Sequence, residues 1–110
     1  MARKPQCRFA VIYRWKLKVG SEPAFILAWA AATRATKEKR GGLGSRLHQA
    51  EDGTWVAYAQ WPTREDWERN RLAAPADPEA VEKMKEAIEE SLSPILLEPV
   101  EDLLVALGRS

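Results

Sequence analysis

The sequence holds one histidine and one cysteine. Its chemistry therefore cannot rest on a histidine pair, a thiolate metal cluster or a disulfide within the chain. His48 sits in the segment GSRLHQA, with Arg46 and Ala50 on its face if that segment is a strand. It reads either as a hydrogen-bonded strand histidine or as a proton acceptor, because imidazole ordinarily titrates near neutrality. Arg46 beside it is a partner for a substrate oxygen. Arg14 is an odd charge inside an otherwise apolar segment. It suits solvent, an interface between copies, or an anionic substrate oxygen. Ser45 lacks the Gly-x-Ser-x-Gly setting, and the nearest acids, Glu51 and Asp52, fall in a turn, which argues against a hydrolase triad. The glycines of GGLG at 41–44 lead into a strand, not a helix, so they do not form a phosphate loop.

Tryptophan is the stronger signal. There are five in 110 residues, more than a core of this size accommodates without crowding. Some are expected to line a cavity or an interface, offering flat apolar surface and indole N–H donors to an aromatic ligand. Trp29 and Trp61 are the best pair, one from a helix and one from a nearby strand end, with Trp15 beside them. Thr33 lies one turn beyond Trp29, and Tyr58 or Gln60 can orient a bound molecule. Stacking of single-stranded bases would need a basic groove among the aromatics. Arg14 and Arg46 do not make one, and a net charge of +1 gives no basic field for nucleic acid.

These residues need elements to position them. Residues 9–19 alternate as a strand, with Phe9, Val11, Tyr13, Trp15 and Leu17 on one face. Gly20 breaks it, and Ser21 is placed to cap a helix with Pro23 in its first turn. That helix runs to about Lys39, with Phe25, Ala28, Trp29, Ala32 and Thr36 as its buried stripe. Lys37, Lys39 and Arg40 gather at its end, where cations suit the helix dipole better than they mark a phosphate site. A second strand at 44–50 and a third at 54–61 flank the turn Glu51-Asp52-Gly53. Thr63 and Asp66 have capping-box spacing for a helix reaching Leu72. Asp77 and Pro78 start another helix, with Val81, Met84, Ile88 and Leu92 as its stripe. Pro94 closes it, and a last strand is expected over 100–107. The order β-α-β-β-α-α-β predicts an α+β fold: a ferredoxin-like split β-α-β with a four-stranded antiparallel sheet.

Four segments in order, VIYRWKLKVG at 11–20, AW at 28–29, GGLGSRLH at 41–48 and WVAYAQWPTREDWE at 55–68, resemble the antibiotic biosynthesis monooxygenase family of the dimeric α/β barrel superfamily. The resemblance implies one domain over 1–110, with its core at about 9–107. It implies a homodimer with sheets packed face to face and a pocket in each subunit between sheet and helices. It also implies a small oxygenase acting on quinols or aromatic polyketides without metal, flavin or other cofactor, with Trp61 in the place of a pocket-lining tryptophan. Haem-degrading and quinol-type relatives often carry a histidine on the helix after the third strand. Here that helix reads TREDWERNR, which argues against haem.

A cofactor-independent monooxygenase with catalytic His48 and Arg46 is thus one expectation. Its substrate-binding residues would be Trp29, Thr33, Trp61, Trp15, Tyr58 and Arg14. A ligand-binding or stress-associated module with the same pocket and no turnover is the other, since a fold does not decide activity. The lone thiol suits a reducing cytoplasm. Residues 1–8 carry Arg3, Lys4 and Arg8 without a following apolar stretch long enough for a signal peptide, and Ala24–Ala32 is too short to span a bilayer.

Overall fold

The computed structural model of the chain describes residues 7–105. Its elements are β1 (Phe9–Leu17), α1 (Glu22–Arg40), β2 (Ser45–Gln49), β3 (Trp55–Trp61), α2 (Arg64–Leu72), α3 (Pro78–Ala87), β4 (Ile88–Ser91) and β5 (Ile95–Leu97). The sheet is antiparallel throughout, in the order β2-β3-β1-β4, and β5 also pairs with β1. This is the ferredoxin-like α+β fold. β4 takes the Trp15–Leu17 end of β1, and β5 takes the Ala10–Ile12 end of the same edge. Two short strands therefore line this edge of β1, where a single last strand was expected from a later stretch of the chain. Pro94 stands between them, where its missing N–H interrupts the ladder.

The C-terminal quarter departs from the pattern in the sequence. The third helix stops at Ala87, and Ile88 and Leu92 leave the helical stripe assigned to them. Spacings of three and four residues continue through Ile88, but the free edge of β1 captures the backbone there. Lys18 N–H donates to Ala87 O at 2.9 Å, and Leu92 N–H to Arg14 O at 2.9 Å. The strand expected over 100–107 is also corrected. Residues 100–105 carry no strand, and residues 106 and 107 lie outside the described residues. Ile95–Leu97 holds the place on β1, so residues 100–105 have no free stretch of that edge to pair with. Val100, Leu103, Leu104 and Val105 are exposed in consequence.

Capping explains why the helices start where they do. Thr63 Oγ1 accepts from Asp66 N–H (3.1 Å) and donates to the Asp66 carboxylate (3.0 Å), so the two residues close on each other. Asp77 Oδ1 accepts from Ala80 N–H at 3.1 Å. Ser21 occupies the N-cap of α1 but its side chain does not cap. Its hydroxyl instead donates toward Lys18 O (2.6 Å) and Ala87 O (3.0 Å), tying the start of α1 to the end of α3.

The sheet has two unlike faces. Phe9, Val11, Tyr13, Trp15, Ala57 and Trp61 point inward and pack with Phe25, Trp29, Trp67, Met84 and Ala87 from the helices. Phe9, Val11 and Phe25 are fully buried there. The alternate residues of the same strands, Ile12, Arg14, Arg46, His48, Val56 and Tyr58, share the outer face. No described helix is long and apolar enough to cross a membrane.

Candidate functional site

A cavity of about 240 Å³ lies between the inner sheet face and the helices. β1 contributes Tyr13 and Trp15, β3 contributes Ala59 and Trp61, and α1 contributes Trp29, Thr33 and Thr36. Ser45 at the start of β2 and Val81 and Met84 from α3 complete much of the wall. The sheet alternation explains the strand residues: positions 13, 15, 59 and 61 all fall on the inner face. Gly42 lets the loop after α1 lie against this wall. A Cβ there would stand 3.3 Å from Thr36 Cγ2 and 3.6 Å from Trp61 Cη2. Gly44, with φ +106°, turns the chain into β2 in a conformation that only glycine adopts without strain.

The polar groups are few. Tyr13 accepts a hydrogen bond from Trp67 Nε1 at 2.8 Å, and Arg71 stacks over the Trp67 ring at 5.4 Å. Burial raises the pKa of the Tyr13 phenol above its ordinary value, while the Trp67 hydrogen bond and the nearby Arg71 charge oppose the rise. The phenol is therefore protonated at neutral pH. Thr36 Oγ1 is engaged with Ala32 O at 2.9 Å. Ser45 Oγ is buried and has no hydrogen-bond partner among the described residues. Lys37 and Asn70 border the cavity as well. Arg40 donates to Asn70 Oδ1 (3.4 Å) and Ala74 O (2.8 Å), linking the end of α1 to the loop beyond α2.

Trp15, Trp29, Thr33 and Trp61, chosen from the sequence, meet at this cavity. Arg14, Arg46, His48 and Tyr58 do not; they stand on the outer face. Arg46 Nε donates to His48 Nε2 at 3.0 Å. A guanidinium only donates, so Nε2 accepts, and the Nδ1 proton is directed at Val56 O, 3.3 Å away. Both ring nitrogens are occupied, on the side of the sheet away from the tryptophans. The expectation that His48 acts as base in the tryptophan pocket is corrected on this geometry, and Arg46 goes with it. Arg14 Nη2 donates to Ser93 O at 3.1 Å. Gln60 touches the cavity, but its amide donates to Tyr58 Oη on the outer side (3.4 Å). Tyr13, Ser45 and Met84 were not singled out as site residues in the sequence. For Tyr13 the signal was present, because it alternates with Trp15. Among the described residues no group of three or more histidine, cysteine or carboxylate side chains is placed to hold a metal ion.

The sequence profile of the antibiotic biosynthesis monooxygenase family matches residues 8–74, more than half of the chain. The chain belongs to the antibiotic biosynthesis monooxygenase family. Solved structures agree with this membership at the level of fold. SnoaB, a cofactor-independent oxygenase from Streptomyces nogalater, superposes with a TM-score of 0.72 at 17% identity, over 89% of this chain and 98% of its own. A monooxygenase from the gene ActVA-Orf6 of Streptomyces coelicolor, solved with nanaomycin D, gives 0.71 at 20% identity, over 94% and 96%. Rv0793 from Mycobacterium tuberculosis gives 0.70 at 18%, over 87% and 98%. No curated protein sequence matches this family member closely. At these identities the likeness is one of backbone fold.

Proposed function

We propose that the protein is a cofactor-independent monooxygenase acting on a small aromatic, quinol-like or polyketide-like substrate bound in the tryptophan-lined cavity. The observation that carries this is the composition of that wall. Trp15, Trp29 and Trp61 supply flat apolar surface, and among the described residues the ionisable groups bordering it are Tyr13 and Lys37, with no carboxylate. Such a site favours an electron-rich aromatic that carries an oxygen and tolerates negative charge on it.

The reaction would convert an activated ring CH2 and O2 into a ring carbonyl and water. The substrate supplies all four electrons, one oxygen atom stays on the ring, and the other leaves as water with both hydrogens. Ionised substrate must therefore form first. With His48 on the far face, the substrate's own acidity has to deliver the anion. The Tyr13 hydroxyl, kept protonated by burial and already accepting from Trp67, is a donor for the developing charge. The tryptophans hold the ring and exclude water.

Oxygen uptake with a panel of hydroquinones and anthrones tests this. Wild type should consume one O2 per substrate on at least one of them and incorporate one labelled atom from 18O2. Trp61→Phe should slow the reaction, and His48→Ala should not. A second reading has its own support: among the described residues the cavity wall carries no carboxylate or histidine base. The protein would then be a ligand-binding or stress-associated module. No oxygen uptake on any substrate, together with strong tryptophan quenching by the same aromatics, would decide for it.

We also propose a homodimer in the reducing cytoplasm. The outer sheet face carries Ile12, Val56 and Tyr58 without a helix over them, and exposed Ile95 adjoins them. Light scattering at micromolar concentration should give twice the chain mass, and a monomer alone would refute the assembly.

A further inference from the structure

Among the described residues that line the aromatic cavity, Lys37 is the one cation. Trp29, Thr33 and Lys37 follow at intervals of four along α1 and share the face that borders the cavity. At 1.5 Å per residue this stripe covers about 12 Å of helix axis, from indole to hydroxyl to ammonium. Thr36, next to Lys37, stands with Trp61 beside Gly42, which puts Lys37 at the Trp61 end. Lys37 is exposed. Its stem can lie along the wall while the ammonium stays open to a ligand entering from water.

A lysine in the last turn suits the helix dipole, but Lys39 and Arg40 serve that end as well and do not border the cavity. Arg40 is engaged with Asn70 and Ala74. The residues three and four positions from Lys37 are Thr33, Arg34, Arg40 and Gly41, with no acid among them. Lys37 takes part in none of the ion pairs among the described residues. With two arginines at contact spacing, its charge is better met by an anion from outside the chain. The other donors on the wall, Thr33, Tyr13 and the indole N–H groups, are neutral and do not select a charge.

We propose that Lys37 seats a carboxylate, so that the ligand of this cavity is an aromatic acid, with its ring against Trp29 and Trp61 and its carboxylate at the Lys37 ammonium. This rests on the cavity being the ligand site, as argued above, and it adds the charge that the ligand carries. A carboxylate is ionised at neutral pH before any reaction, whereas a phenol is not. The seated anion is therefore distinct from the oxygen that meets Tyr13.

The probes are 2-naphthoate and 2-naphthamide, alike in shape and different in charge, titrated into the full chain by calorimetry. Lys37→Met should weaken 2-naphthoate about 5-fold, the upper range for an ion pair at an exposed lysine. It should leave 2-naphthamide unchanged, which also shows that the variant is folded. Lys37→Arg should keep the wild-type affinity for 2-naphthoate. Lys39→Met removes the same charge from the same turn, away from the cavity, and should cost less than about 2-fold. Unchanged 2-naphthoate binding in Lys37→Met overturns the seat while leaving the cavity as the ligand site. An equal loss in Lys39→Met assigns the effect to the general charge of the helix end and overturns it too, as does an equal loss of 2-naphthamide, which assigns it to packing of the lysine stem. If neither probe binds wild type, the cavity reading fails and the seat fails with it.

Discussion

The two faces of the sheet use the same strands for opposite purposes. The inner face is aromatic, covered by helices, and holds a cavity whose polar groups are hydroxyls and amides, with Lys37 bordering it. The outer face carries the residues that usually signal chemistry, Arg14, Arg46 and His48, and there they bond to one another and to backbone carbonyls. The contrast teaches that residue type alone is a weak guide to a site. Enclosure decides where a small molecule can be held dry, and here it falls on the face that lacks the histidine.

The largest effect that separates the faces should come from Trp61→Ala. Trp61 is 4% exposed and belongs to both the core and the cavity wall. Urea unfolding should show a loss of about 3–5 kcal/mol, the usual range for truncating a buried aromatic. A loss under about 1 kcal/mol would mean the inner face is not the core. Gly44→Ala comes next. Its φ of +106° strains any residue with a Cβ, although nothing stands within 4 Å of that atom. The cost should be about 1–3 kcal/mol from the backbone alone, and Gly44→Asn should recover little, because that φ lies beyond the left-handed region asparagine tolerates.

Tyr13→Phe should remove about 0.5–1.5 kcal/mol at neutral pH, because Trp67 Nε1 loses its acceptor. Its pH signature is more telling. The folded protein binds the Tyr13 proton more tightly than the unfolded chain does, since burial raises the phenol above 10.0. Stability from this source is complete below pH 10 and is lost as pH climbs through the folded value. Wild type should therefore weaken more steeply than Tyr13→Phe above pH 10, and parallel curves would show that the phenol is not buried in solution. The smallest effect belongs to the outer face. His48→Ala should leave the affinity for quenching aromatics within about 2-fold, the reach of a surface substitution. A tenfold loss would place the histidine at the ligand and dissolve the contrast between the faces.

Much of this was legible in the sequence. Five of the elements follow from alternation, helical spacing and caps, with ends within two residues of those expected. The face of His48 was legible too, through arithmetic on the hairpin. The turn Glu51-Asp52-Gly53 centres the pairing on residue 52, so Arg46 meets Tyr58 and His48 meets Val56. Even residues pair only with even ones, which separates His48 from Trp55 and Trp61 before any helix is placed. Proximity in sequence to Trp61 was the misleading cue.

What the sequence determines by itself is local: the strands and helices up to Leu72, the parity of each strand face, and the motifs that mark the family. Only the tertiary structure decided where the last third of the chain goes. Helical spacing runs on through Ile88, and strand-like composition continues past Val100, so neither boundary is visible within its own segment. Both are set by the unpaired edge of β1, which lies more than 70 residues earlier and accepts Ile88–Ser91 and Ile95–Leu97 in turn. The cavity has the same origin. Ser45 is an ordinary strand serine until Ala59, Trp61 and the helices close over it, and burial without a partner is a property no sequence window contains.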